Sequence, residues 1–91
     1  MDKAAKLTVL KQDLQLITNA NDEYLWTLLD LAAEAITTEG IVLEDTTESD
    51  MAVVQYAAYL FRKRSAADTV MPRFLRWQLN NLLTKQKGRE A

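Results

Sequence analysis

The residues of this chain that could carry chemistry are carboxylates, lysines and tyrosines, because the sequence contains no histidine and no cysteine. Thiol nucleophiles, imidazole bases and the usual zinc ligands are thereby excluded. The densest group of acids consists of Glu44, Asp45, Glu48 and Asp50. Its spacing lacks the Asp-x-Asp-x-Asp-Gly order of a calcium-binding EF-hand loop. We interpret the group as a solvated cluster that caps a helix, and keep metal binding or acid–base catalysis as the alternative.

A phosphate-binding loop is not predicted either, since the only two glycines, Gly40 and Gly88, lie far apart. We therefore expect a protein that is not an enzyme and that binds no metal and no cofactor. The opening residues lack a hydrophobic signal-peptide core, and no apolar run approaches the ~20 residues of a membrane span. We expect a soluble protein that is made in the cytoplasm.

Apolar residues at three- and four-residue steps predict four α-helices that position these side chains. Thr8, Asn21 and Thr47 are predicted N-caps, Pro72 fits the first turn of the last helix, and Gly40 and Gly88 fit positions just past helix ends. The predicted helices span residues of about 8–16, 22–38, 48–64 and 72–87. Short loops between helices are typical of bundles, so we expect a single all-α domain with no sheet. It covers residues 1–91, with frayed ends at 1–6 and 88–91.

The third predicted helix contains the stretch 51–61, in which only Gln55 is strongly polar. A helix that is apolar nearly all round is buried nearly all round. A domain of this size buries only about 60–65% of the surface that its unfolded chain exposes. We therefore expect one side of this helix to face the domain's own core, and the other side, with Tyr56 and Tyr59, to face a second copy or a partner.

Aromatic residues outside the predicted core stripes indicate a protein–protein surface. Trp26 falls at the polar border of the second helix, and Trp77 falls beside the apolar stripe of the fourth. Trp, Tyr and Arg are enriched at the centres of interfaces, and a domain this small cannot bury all of its aromatics. The residues that we expect at a subunit interface are Trp26, Tyr56, Tyr59, Arg62, Arg73 and Trp77.

Charge is divided unevenly along the chain. Residues 1–59 carry three lysines against eleven acids, and residues 60–91 carry eight Lys or Arg against two acids. Such a chain can stack an acidic surface on a basic one or present its basic end to an anion, and two solvated surfaces of opposite charge are the simpler alternative. A basic cluster supplies affinity for phosphates without sequence preference. The basic residues that we expect to contact DNA or a partner are Lys63, Arg64, Arg76, Lys85, Lys87 and Arg89.

Three segments resemble the small head–tail connector proteins of tailed phages, also described as head-completion or adaptor proteins. The first is TVLKQDLQLITNANDEYLWTLLDLAAEAI, in which a Leu-Lys-x-x-Leu helix and an acidic cap precede an amphipathic helix. The second is DMAVVQYAAYLFRKR, and the third is MPRFLRWQLNNLL, which opens with Met-Pro. Together the segments cover residues 8–83, in this order.

The resemblance implies an all-α subunit that joins a ring, commonly of about a dozen copies, at the head–tail junction of the virion. Such a ring docks on the portal protein, gives the tail and its completion protein an attachment surface, and lets double-stranded DNA pass through its centre. No catalytic residue is implied. The residues themselves leave two alternatives open, a small helical DNA-binding regulator and a dimeric helical interaction module.

Overall fold

Four helices make up this computed structural model, which describes the backbone of residues 1–90 and the side chains of residues 1–88. The helices are α1 (Lys3–Leu14), α2 (Asp22–Thr38), α3 (Thr47–Ser65) and α4 (Arg73–Glu90). No strand occurs within residues 1–90. The predicted all-α class and the number of helices are confirmed. Ala91 lies outside the described residues.

Helix α1 begins five residues earlier than the sequence predicts. The carboxylate of Asp2 accepts a hydrogen bond from the Ala5 N–H at 2.7 Å, so Asp2 is the N-cap in place of Thr8. Residues 3–6, which the sequence predicts as frayed, therefore form the first helical turn. Gln15 adopts a left-handed conformation with φ of 59° and ends the helix, which leaves Ile17 96% exposed outside the apolar stripe.

Helices α2 and α3 begin and end close to the predicted residues. Helix α2 matches the predicted range, and Gly40 has the positive φ, 94°, that is typical of a residue ending a helix. Helix α3 begins at Thr47 because the Thr46 hydroxyl accepts a hydrogen bond from the Ser49 N–H at 3.1 Å, so the N-cap is Thr46 and not the predicted Thr47. Helix α4 starts one residue after Pro72 and continues through Gly88 to Glu90, so the predicted stop at Gly88 is wrong.

Helix α3 lies at the centre of the domain and packs against each of the other three helices. Its Ala52, Val53, Val54, Ala57 and Ala58 are at most 3% exposed, and such small side chains let neighbouring helices approach closely. Within the stretch 51–61 no side chain is fully exposed, but six are only partly buried: Met51, Gln55, Tyr56, Tyr59, Leu60 and Phe61. The flank that the sequence predicts to face a second copy or a partner is therefore narrower than expected.

Helix α4 is attached to the rest of the domain at both of its ends. Leu75, Leu79 and Leu82 are at most 5% exposed and face the core. Near the other end, the side-chain amide of Gln86 hydrogen bonds to the backbone of Val42 in the extended segment 41–44. The outward side of α4 remains open to solvent as a result.

Candidate subunit interface

The outward face of α4 carries two large aromatic side chains. Phe74 is 60% exposed and Trp77 is 62% exposed, with ring centroids 6.5 Å apart. Residues three and four apart share one face of a helix, so Arg73 lies beside Trp77 on this surface. We define the α4 face as the exposed side chains Arg73, Phe74, Trp77, Asn80, Asn81, Thr84 and Lys87. A shallow hollow of about 460 Å³, lined in part by Arg73, Trp77 and Asn80, lies on it.

A second set of exposed apolar side chains lies on α2. Trp26 is 40% exposed and Leu31 is 48% exposed, on either flank of a row of polar residues. The Lys3 ammonium lies 4.3 Å from the centre of the Trp26 ring and 2.6 Å from an oxygen of Asp30, which holds this part of the surface in place. We define the α2 face as the exposed side chains Glu23, Trp26, Thr27, Asp30, Leu31 and Glu34.

The two tyrosines of α3 contribute less surface than the sequence predicts. Tyr56 and Tyr59 pack edge to face, with ring centroids 5.9 Å apart, and both are half-buried against the core. Burial raises the pKa of Tyr56, and the nearby carboxylate of Glu39 raises it further because it repels the phenolate. Any role of these tyrosines in subunit contact is therefore limited to their outer edges.

Three cations of residues 60–91 pair with acids of residues 1–59 inside one subunit. Arg76 donates two hydrogen bonds to Glu39, at 2.7 and 3.1 Å, and this bonding raises the pKa of Arg76. The other two pairs join Arg62 to Asp13 at 3.2 Å and Lys85 to Glu48 at 3.0 Å. Much of the opposite charge that the sequence shows is thus neutralised within the subunit.

The remaining basic residues do not form a single cluster. Arg64 lies over the Tyr24 ring at 4.8 Å, and Lys63 lies 5.6 Å from the centre of the Tyr59 ring. Lys87 is exposed on α4, while the side chain of Arg89 lies outside the described residues. The structure therefore places the predicted DNA-contacting residues at the end of α3 and along α4.

The four acids at 44, 45, 48 and 50 are not one solvated group. Asp50 is only 6% exposed and lies 3.7 Å from the Lys6 ammonium and 3.2 Å from the α-amino group of Met1. Glu48 pairs with Lys85, Glu44 accepts a hydrogen bond from Gln86 at 3.3 Å, and the side chain of Asp45 is 96% exposed. The interpretation as a solvated cluster is wrong for Asp50. Among the described residues, no three acids are grouped as a metal site requires.

Of the predicted interface residues, the structure brings together Arg73 with Trp77, and Tyr56 with Tyr59. Trp26 lies apart on α2, and Arg62 faces α1. Phe74, which the sequence places beside Trp77 to one side of the apolar stripe but not among the interface residues, is exposed as well. Leu31 is not predicted as exposed, although a helical wheel drawn with the observed core residues places it outside the core stripe of α2.

No protein-family model, no curated protein and no solved structure matches this chain. Among the described residues, none of the helices has the length and apolar character needed to cross a membrane.

Proposed function

We propose that this chain is a non-enzymatic structural protein of a tailed phage or prophage that forms a ring-shaped connector between the portal and the tail. The observation that carries the proposal is the exposed pair Phe74 and Trp77 beside Arg73 on the outward side of α4. Large aromatics that a small domain leaves in water, next to an arginine, have the composition of an interface hot spot. The order of the three segments that resemble connector proteins supports the same assignment.

A ring requires two different surfaces on each subunit, because its joints are head-to-tail. The α4 face and the α2 face provide two such surfaces on different helices. Cations at the end of α3 and along α4, among them Lys63, Arg64 and Lys87, are available to contact the DNA backbone as it passes through the ring. We propose the portal protein, the tail-side completion protein and double-stranded DNA as partners, and the head–tail junction of the virion as the location.

The test is to mix the purified chain with the portal of the phage or prophage that encodes it, and to examine the particles by electron microscopy. We expect a ring of added density on one end of the portal. Trp77→Glu should abolish this density while leaving the fold intact, and Ile17→Glu, which places the same acid at a 96% exposed apolar side chain outside both faces, should retain it. Portal particles that carry no extra density with the wild-type chain would reject the proposal.

A small DNA-binding regulator is the second candidate, because Arg73, Asn80 and Asn81 all point away from the core on one helix. A regulator binds its own site much more tightly than random duplex DNA, whereas a connector binds both weakly and equally. Titration of two duplexes, one random and one from the region upstream of the gene, at several salt concentrations separates the two candidates. Equal, salt-sensitive binding favours the connector.

A further inference from the structure

Helix α2 carries only acidic residues, and helix α4 carries only basic ones up to its last residue, Glu90. Helix α2 contains Asp22, Glu23, Asp30 and Glu34 and no lysine or arginine. Helix α4 contains arginines and lysines, and no acid occurs between Asp68 and Glu90. The two helices are therefore electrostatically complementary as whole elements.

The charges that remain without an ionic partner lie on the outward faces of these two helices. Arg76 and Lys85 of α4 pair with carboxylates of their own subunit, as do Asp22 and Asp30 of α2 with lysines. Arg73 and Lys87 on the α4 face, and Glu23 and Glu34 on the α2 face, have no charged partner among the described side chains. The subunit thus leaves two cations on one face and two carboxylates on the other.

Each of these faces also carries a large exposed apolar side chain, Trp77 on the α4 face and Leu31 at the edge of the α2 face. Trp77 lies one turn from Arg73 on α4, and Leu31 lies one turn from Glu34 on α2. From these matched features we infer that the α4 face of one subunit docks on the α2 face of a second copy of this chain. We call this contact between the α4 face and the α2 face the joint. It specifies which surfaces meet in the proposed ring, and it rests on that proposed function.

An antiparallel arrangement of the two helices brings the matched groups together. With Arg73 placed at Glu34, Trp77 lies at the level of Asp30 and Leu31, since both helices advance by about 6 Å over four residues. Lys87 then lies about one turn beyond Glu23, within the reach of a lysine side chain. Trp77 then contacts Leu31 about one turn from the Arg73–Glu34 pair, and Lys87 and Glu23 form the charge pair towards the other end.

The joint uses different surfaces on the two copies. A substitution that blocks one face of a subunit therefore leaves its other face able to bind a second copy. Trp77→Glu places an acid on the α4 face, and Leu31→Arg places a cation on the α2 face. We expect each variant alone to remain monomeric in sedimentation equilibrium at millimolar concentration, where the wild-type chain forms oligomers. Mixed together, the two variants should form a one-to-one dimer through the single intact pair of faces.

Reversal of one charge pair tests the register of the joint. Arg73→Glu and Glu34→Arg should each weaken association at least tenfold, and the double variant should recover most of the wild-type affinity. Asp68→Arg is the matched control, because it makes the same change in charge as Glu34→Arg at an exposed side chain in the loop between α3 and α4, outside both faces. Circular dichroism and urea unfolding confirm that all of these variants fold.

Three outcomes would overturn the joint: a wild-type chain that stays monomeric at millimolar concentration, variants that associate as well as the wild type, or a variant mixture that forms no dimer. Loss of DNA binding in Trp77→Glu without any self-association would likewise assign the α4 face to nucleic acid instead. Different results would reject the proposed connector function and the joint. A chain that oligomerises through these faces but ignores the portal rejects the connector role alone, whereas portal rings that form with both variants reject the joint alone.

Discussion

Gln86 and Val42 form a pair that resembles one rung of a β-ladder. The Val42 N–H donates to the Gln86 Oε1 at 2.8 Å, and the Gln86 Nε2 donates to the Val42 carbonyl oxygen at 2.6 Å. Gln86 is only 9% exposed, and Ile41 beside Val42 is buried. A glutamine side chain thereby fastens the second half of α4 to the extended segment 41–44, which would otherwise have unpaired backbone groups.

Replacing Gln86 by alanine should destabilise the domain by about 1–3 kcal/mol, because both hydrogen bonds to Val42 are lost in a partly buried place. Urea unfolding measures the change. Lys87→Ala is the control, since its exposed side chain neighbours Gln86 and should alter stability by less than ~0.5 kcal/mol. Equal stability of the two variants would show that the segment 41–44 is held by Ile41 rather than by Gln86.

Substitution of each of the two glycines by alanine should change the stability of the protein, in opposite directions. Gly40 has a φ of 94°, which strains any residue with a Cβ, so Gly40→Ala should cost about 1–2 kcal/mol although the nearest side-chain atom would be 3.8 Å away. Gly88 is helical with nothing within 4 Å of an added Cβ, so Gly88→Ala should stabilise the protein by about 0.5 kcal/mol. Thermal unfolding of both variants decides the matter. A neutral Gly40→Ala would mean that the turn relaxes.

Substitutions at Tyr59 and Trp77 should have different effects, the first on stability and the second on self-association. Tyr59 is half-buried against the core, so Tyr59→Ala should lower the free energy of unfolding by about 2 kcal/mol. Trp77 is 62% exposed, so Trp77→Glu should change it by less than ~0.5 kcal/mol while removing self-association. Urea unfolding at low protein concentration, followed by light scattering at high concentration, measures the two effects. A strongly destabilised Trp77→Glu would identify Trp77 as part of the core.

The pH dependence of stability should reveal the environment of Tyr56. Because the folded-state pKa of Tyr56 is raised, its contribution to stability is complete below the ordinary pKa of tyrosine and is lost as the pH rises through the raised value. The free energy of unfolding should therefore fall in alkaline solution. Tyr56→Phe removes this hydroxyl and should fall less steeply over the same range. Parallel curves for the two proteins would contradict the desolvation of Tyr56.

Local signals in the sequence accounted for most helix ends. Helix α2 begins right after Asn21 and ends just before Gly40, as predicted, because caps and breakers act within one turn of themselves. Asn21 occupies the N-cap position, but its side chain makes no capping hydrogen bond. The predicted start of α1 at residue 8 is five residues too late, because the residue that caps this helix is Asp2 and not Thr8. The predicted end of α4 at Gly88 is wrong, because a glycine inside a helix destabilises it by only about 1 kcal/mol relative to alanine. Favourable helix formation by the neighbouring residues can offset that cost.

By itself, the sequence determined the helical class, the helix order and the absence of imidazole and thiol chemistry, because periodicity, caps and composition are local properties. Tertiary structure alone decided that the other three helices pack against α3. It also decided that Asp13, Glu39 and Glu48 pair with Arg62, Arg76 and Lys85, and that Gln86 hydrogen bonds to Val42. These relationships join residues 37 to 49 positions apart. Partners at such separations are chosen by the packing of whole helices, and that packing also left Arg73, Trp77 and Glu34 facing solvent.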